Sequence, residues 1–194
     1  TGWPHPDHYM TPKDLAILSK RIIMDFPEFF YLFKEKEYTY NKIKQNNRNP
    51  LLYHYKYADG LKTGYTEESG FSLSSTAKKG DSRLILILSG LDNVKDRRSE
   101  AIKIFEWAFR EFINIKLFSK DETIMEADVW LGKKPIVELF SKEDILFTVR
   151  RKNLKKYEAI LSYNNPISAP IIADKEYAKL KVMNTINGTH SYPL

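Results

Sequence analysis

Asp59-Gly60-Leu61-Lys62-Thr63-Gly64-Tyr65-Thr66 is the stretch on which the reading of the fold turns. Residues 61–65 read as a strand, and residues 70–78 and 82–89 read as two more, the last two joined by a tight turn at Lys79-Gly80-Asp81. The run Leu84-Ile85-Leu86-Ile87-Leu88 is apolar without alternation, which predicts burial on both faces of its strand. A helix is predicted from Asp96 to Phe112, with Ala101, Ile104, Phe105, Ala108, Phe109 and Phe112 on one stripe, and such a stripe must lie on a sheet. Upstream, Thr11 is placed to cap a helix, Pro12 suits its first position, and Asp14 favours its positive end. Leu15, Leu18, Ile22 and Ile23 share a face of that helix, which should stop near Asp25, before Pro27. Residues 37–40 and 42–45 read as short strands, followed by a polar turn at Asn46-Asn47-Arg48-Asn49-Pro50.

After Ile115 the texture changes to short strand-like pieces separated by turns, at residues 123–129, 136–139, 145–149, 157–162, 180–186 and 189–192, with Asn187-Gly188 closing a hairpin. The sequence therefore divides into an α+β part, residues 1–114, and a small all-β part, residues 115–194. With 194 residues, 42% hydrophobic and 29% charged, the chain can build a real core, and disorder and collagen are excluded. There is no repeat and no low-complexity linker. The net charge of +6 is spread evenly, 18 basic and 15 acidic side chains before Ile115 and 13 and 10 from it onward, so charge alone names no partner. The absence of cysteine removes disulfides, thiolate metal sites and a cysteine nucleophile. No apolar run approaches the ~20 residues that span a bilayer. The chain starts at Thr1 with no signal pattern and ends in Ser191-Tyr192-Pro193-Leu194 as a strand begins, so a piece cut at both ends is expected.

Lys62-Thr63-Gly64 carries the chemistry. A strand bearing an ammonium, a hydroxyl and then no side chain offers charge, a hydrogen bond and open backbone along one edge. An extended peptide can pair with that edge, its terminal carboxylate meeting Lys62 and Thr63 while Gly64 permits close approach. In isolation the triplet is also what an ordinary strand end looks like. It is shared, with Ser-x-x-Lys and Ser-Asp-Asn, by penicillin-binding proteins and β-lactamases.

The surroundings decide between these readings. Thr1-Gly2-Trp3-Pro4-His5-Pro6-Asp7-His8-Tyr9, Thr11-Pro12-Lys13-Asp14-Leu15-Ala16, Tyr38-Thr39-Tyr40-Asn41, Asn47-Arg48-Asn49-Pro50-Leu51-Leu52, residues 59–66, Gly70-Phe71, Arg97-Arg98-Ser99-Glu100-Ala101 and Trp107 stand in a characteristic order. In that order the sequence resembles the serine-type D-alanyl-D-alanine carboxypeptidases, the low-molecular-mass penicillin-binding proteins of the peptidase S11 family. The resemblance implies an α+β fold: the C-terminal part of a β-lactamase/transpeptidase-like catalytic domain, antiparallel sheet with helices, over residues 1–114. A β-rich, sandwich-like domain, truncated, follows over residues 115–194.

The resemblance further implies a hydrolase that removes the terminal D-Ala of peptidoglycan stem peptides ending in D-Ala-D-Ala through a serine acyl-enzyme, and that β-lactams trap. It makes Lys62 the catalytic and substrate-binding lysine, Thr63 a carboxylate donor, Gly64 part of the binding strand and the Tyr65 N–H an oxyanion donor, with Arg48 and Arg97 near the site. It calls for no cofactor, metal or nucleic acid. It places the parent protein in the periplasm, held to the outer face of the cytoplasmic membrane by a C-terminal anchor beyond Leu194. The family carries its serine and its Ser-x-Asn motif before the segment matched here. Ser75-Thr76-Ala77-Lys78 matches Ser-x-x-Lys but lies in a predicted strand after Lys62-Thr63-Gly64, and is rejected as the nucleophile. The chain alone is thus expected to lack nucleophile and base, and a non-catalytic module binding cell-wall peptide or a membrane surface is the other class in play.

Four further features have plainer readings. His5, Asp7 and His8 offer two imidazoles without a third ligand and read as a surface loop rather than a metal site. Arg150-Arg151-Lys152-Asn153-Leu154-Lys155-Lys156 reads as a solvated turn between strands, with phosphate or anionic lipid as the alternative. Tyr53-His54-Tyr55-Lys56-Tyr57 reads as a wall of the cleft rather than a base-stacking surface. Asn187-Gly188-Thr189 matches a glycosylation acceptor but reads as a turn.

Overall fold

The computed structural model describes residues 5, 7–173, 175–184 and 188–194. Residues 1–4 and Pro6 of the family-like stretch, and Thr185, Ile186 and Asn187 of the expected hairpin, lie outside the described residues. The chain forms two compact units, Thr1–Arg110 and Glu111–Leu194.

In the first unit, helix α1 spans Pro12–Asp25 and opens on a complete capping box: the Asp14 N–H donates to the Thr11 hydroxyl, and the Thr11 N–H donates back to the Asp14 carboxylate. It ends where Pro27 begins a 3-10 helix, Pro27–Lys34. Strands β1 (Glu37–Tyr40) and β2 (Ile43–Asn46) form a separate hairpin, and a one-turn helix α2, Leu51–His54, follows. Strands β3 (Ala58–Thr66), β4 (Gly70–Lys79) and β5 (Ser82–Leu91) then make a three-stranded antiparallel sheet in the order β3-β4-β5. The β4–β5 turn uses Gly80 at φ +60, a conformation that disfavours a side chain.

Helix α3, Asp96–Glu111, lays Ala101 and Phe105 on one face of this sheet, against Leu73 and Ala77 of β4, with Leu51 and Tyr55 completing the core. The other face meets α1, where the hydroxyls of Ser19 and Ser74 lie 2.9 Å apart. Ser19, not Leu18, is the buried centre of that helix face. Leu18 is exposed, contrary to the expected stripe. The apolar run of β5 is covered on both faces but only half-buried, because β5 ends the sheet among the described residues.

The second unit begins with β6, Phe112–Phe118, where the sequence reading had carried the helix on to Phe112. It pairs with β9 (Ile145–Arg150), while β7 (Thr123–Trp130) pairs antiparallel with β8 (Ile136–Phe140) and parallel with β11 (Ile167–Ser168). A 3-10 helix, Arg151–Lys156, leads into β10 (Tyr157–Tyr163), which joins β12 (Ala178–Asn184) and β13 (Gly188–Pro193) in a third sheet. Ala127, Leu139, Ile167 and Ala178 form this unit's core. No helix among the described residues is long and apolar enough to cross a membrane.

Candidate active site

Strand β3 carries Lys62-Thr63-Gly64 at its centre and has one neighbour, β4, among the described residues, so its other edge is open. Lys62 stands opposite Ser74, Thr63 opposite Leu73 and Gly64 opposite Ser72. Strand alternation puts Lys62 and Gly64 on one face and Thr63 and Tyr65 on the other. Lys62 is exposed and its ammonium donates to the Thr63 carbonyl oxygen. Among the described residues it has no carboxylate partner. Thr63 is buried, and its hydroxyl likewise has no partner among them. A Cβ on Gly64 would sit 2.5 Å from the Ser72 hydroxyl oxygen, which would have to rotate away.

Arg97, from the first turn of α3, secures this segment from the sheet side. Its Nε donates to the Ser72 carbonyl at 3.0 Å, its Nη2 donates to the Gly64 carbonyl, and its guanidinium lies 4.9 Å from the Phe71 ring centroid. Phe71 in turn packs on the Tyr65 ring, centroids 4.4 Å apart. The guanidinium is buried without a carboxylate, and burial holds its pKa below the ordinary arginine value. Arg97 thus lies with Phe71 and Tyr65 on the α3 face, whereas Lys62 stands on the opposite face without a carboxylate partner among the described residues, so it is Lys62 that offers its charge to an anion at the open edge.

The lower end of β3 is held by a device that sequence reading missed. Asp59 accepts two hydrogen bonds from Arg83, at 2.9 and 2.7 Å, and Arg83 also donates to the Thr76 hydroxyl at 2.8 Å and stacks over Phe30 at 5.0 Å. The two residues are 24 positions apart, and no local pattern announces the pair. Arg48 is placed apart from this set. It lies exposed in the turn between β2 and α2, and no hydrogen bond or ion pair among the described residues joins it to β3. Its flanking asparagines are structural: Asn47 receives the Asn49 N–H at 2.9 Å, and Asn49 receives the Leu51 N–H at 3.1 Å.

The family model described as D-alanyl-D-alanine carboxypeptidase matches residues 1–93, and that described as penicillin-binding protein 5, C-terminal domain, matches residues 112–194. Over these two stretches the chain is similar to the D-alanyl-D-alanine carboxypeptidases. It is 37% identical over 172 residues to D-alanyl-D-alanine carboxypeptidase DacC of Escherichia coli K12, covering 88% of this chain and 43% of that protein. The crystal structure of penicillin-binding protein 5 from Haemophilus influenzae superposes with a TM-score of 0.90 at 30% identity, over 99% of this chain and 57% of that one. Penicillin-binding protein D2 of Listeria monocytogenes in its cefotaxime-bound form is 32% identical, with a TM-score of 0.51 over 56% of this chain and 45% of that one. The chain spans about half the length of the curated relatives it matches.

Of the aromatic cluster before β3, Tyr55 and Tyr57 turn into the core instead of lining a cleft, while Tyr53 and His54 stay exposed. Tyr55 is buried and stacked on Phe105, centroids 5.8 Å apart, and its hydroxyl donates to Glu106 at 2.8 Å. Tyr57 packs on the same core, with the Lys56 and Lys79 ammoniums over its ring at 4.9 and 5.1 Å. Alternate large rings have turned inward because the strand they enter is covered by α3. Ser75 of the Ser-x-x-Lys look-alike is fully buried in β4, its hydroxyl donating to the Leu86 carbonyl at 3.2 Å, whereas Lys78 is exposed. Positions three apart on a strand point to opposite faces, so the two make no nucleophile–base pair. His5 is exposed, its Nδ1 accepting the Asp7 N–H at 3.1 Å.

Proposed function

We propose that this chain supplies the substrate-gripping strand of a serine-type D-alanyl-D-alanine carboxypeptidase, residues 1–114 belonging to the catalytic domain and residues 115–194 to the β domain that follows it. The observation that supports the reading is the open edge of β3, where Lys62, Thr63 and Gly64 stand with no carboxylate facing the Lys62 ammonium among the described residues. A stem peptide ending in D-Ala-D-Ala pairs with this edge. Its terminal carboxylate takes the Lys62 ammonium and the free Thr63 hydroxyl. The Tyr65 N–H donates to the oxyanion that forms when a serine attacks the penultimate carbonyl. That attack breaks the D-Ala-D-Ala amide, the departing amine takes a proton, and water then hydrolyses the ester. β-Lactams present the same carboxylate and carbonyl and remain on the serine.

Arg97 acts as a positioning residue, setting the Gly64 and Ser72 carbonyls, and Arg48 contributes positive potential from the β2–α2 turn. The serine and its base come from sequence outside these 194 residues. The intact protein works in peptidoglycan biosynthesis and cell-shape maintenance in the periplasm, held to the outer face of the cytoplasmic membrane by a C-terminal anchor. It requires no cofactor and no nucleic acid.

The test is covalent labelling. The 194-residue chain alone is expected to take up no labelled penicillin. The intact protein, with an in-frame Ser-x-x-Lys and Ser-x-Asn before Thr1, is expected to label and to release D-Ala. Lys62→Ala in the intact protein should lower kcat/KM about a hundredfold or more. A saturable covalent adduct on the 194-residue chain, or unchanged kinetics in the variant, removes this assignment. Absence of both motifs from the upstream frame turns the reading to a peptide-binding module without turnover.

A further inference from the structure

The second unit segregates its charge. Residues 150–156 hold five of its basic side chains, and outside them the unit carries eight basic and eleven acidic residues. The net positive charge of the unit therefore resides in one segment. Arg150 is committed, its guanidinium paired with Glu111 at 3.1 Å. Arg151, Lys152, Lys155 and Lys156 are all exposed and make no ion pair among the described residues. By contrast Lys116, Lys120 and Lys179 elsewhere in the unit each face a carboxylate. The 3-10 helix that bears the four cations is pinned by the buried Asn153, and the next residue, Leu154, is turned outward among them, 45% exposed.

We propose that this helix is a contact site for a membrane surface rich in anionic phospholipid. Four unpaired cations gather lipid phosphates, and Leu154 enters the headgroup region between them. The leucine selects among polyanions. A dissolved polyphosphate or a duplex gives an exposed apolar side chain nothing, whereas a bilayer interface does. The neighbouring ring is unavailable for stacking on a base, since Tyr157 is half-buried against Phe147, centroids 5.5 Å apart. The inference stands independently of the carboxypeptidase reading, because it uses no residue of β3 and no membrane anchor.

Vesicle sedimentation of the purified chain tests it, with phosphatidylcholine vesicles prepared with and without phosphatidylglycerol. Binding is expected only to the phosphatidylglycerol vesicles, and to fall as salt rises. Substituting Arg151, Lys152, Lys155 and Lys156 together by Gln should weaken partitioning about a hundredfold at low salt, at roughly fivefold or less per charge. The far-UV spectrum should stay unchanged, since the four side chains are exposed and make no hydrogen bond or ion pair among the described residues. Leu154→Ser should weaken vesicle binding several-fold while leaving retention on a heparin column unchanged. Lys133→Gln with Lys134→Gln serves as the control and should have no effect. Equal sedimentation with neutral vesicles, undiminished binding by the four-Gln chain, or Leu154→Ser binding vesicles as the original does would each overturn the proposal. Competition by duplex DNA together with an unaffected Leu154→Ser chain would assign the patch to nucleic acid instead.

Discussion

At the scale of single residues, Gly64 is the position where function and packing are most closely joined. The space that a side chain would fill is taken by the Ser72 hydroxyl, and both residues' carbonyls are held by Arg97. Gly64→Ala is therefore expected to cost about 1 kcal/mol, the cost of turning the Ser72 hydroxyl out of its rotamer. Because the clash is with a hydroxyl alone, Ser72→Ala in the same chain should recover most of that loss. Urea unfolding of the two single variants and the double variant is the measurement, and strictly additive losses would show that the clash is not the cause. Tyr55 makes a different kind of prediction. Burial, and then its hydrogen bond to Glu106, push its phenol well above the ordinary value of 10.0. The folded unit thus holds the proton more tightly than the unfolded chain. Its contribution is complete below pH 10 and is lost as pH rises beyond it. Tyr55→Phe should cost about 1 kcal/mol near neutrality. That gap from the original chain should narrow in urea titrations as pH rises above about 10, and a gap constant with pH would contradict the assignment.

At the scale of elements, β3 is held in place at two levels. Arg97 grips its centre, and the Asp59–Arg83 pair grips its start, with both side chains mostly buried. Asp59→Ala leaves Arg83 half-covered and without its carboxylate. The expected cost is about 2 kcal/mol, below the ~3–5 of a fully buried pair because water still reaches Arg83. In the intact protein the same variant should also raise KM for peptide, whereas Lys44→Ala, which loses only the exposed pair with Glu37, should do neither. The strand itself was legible in the sequence. Its alternation, its flanking turns and the Lys62-Thr63-Gly64 triplet are all local signals. The grip on it was not, since Arg97 lies 33 positions from Gly64 and Arg83 24 positions from Asp59, distances that only the sheet and α3 bring together. The 3-10 helix Pro27–Lys34 and the one-turn helix α2 were missed because neither is long enough to show a period. Strand β6 was partly absorbed into the helix before it because Phe112 continues the α3 stripe, so apolar spacing alone could not mark the change of direction.

At the scale of the whole molecule, both units leave large apolar side chains exposed, Trp130, Leu131 and Ile172 among them in the second, but the first concentrates six in one short stretch. The second unit turns Ala127, Leu139, Ile145, Val149, Ile167, Leu180 and Val182 inward. The first buries one face of α1 on its sheet but leaves Leu18, Met24, Phe26, Phe29, Tyr31 and Leu32 between 46% and 63% exposed, on two successive helices and the residue that joins them. Six exposed large apolar side chains within fifteen residues are more than singly scattered ones, and a cover over them in the working protein is the expectation tested below. The chain spans about half the length of its curated relatives, so the cover expected here is the remainder of the same catalytic domain, packed on α1 and the following 3-10 helix. The 194-residue chain should therefore bind the dye anilinonaphthalene sulfonate at a saturable site and self-associate as concentration rises. The intact protein should do neither. Met24→Lys with Phe29→Lys in the 194-residue chain should abolish dye binding with a change in stability below about 0.5 kcal/mol, since exposed side chains contribute little to the folded state. Dye binding that is as strong in the intact protein, or that survives the double substitution, would show that this face is a permanent surface and not an internal one.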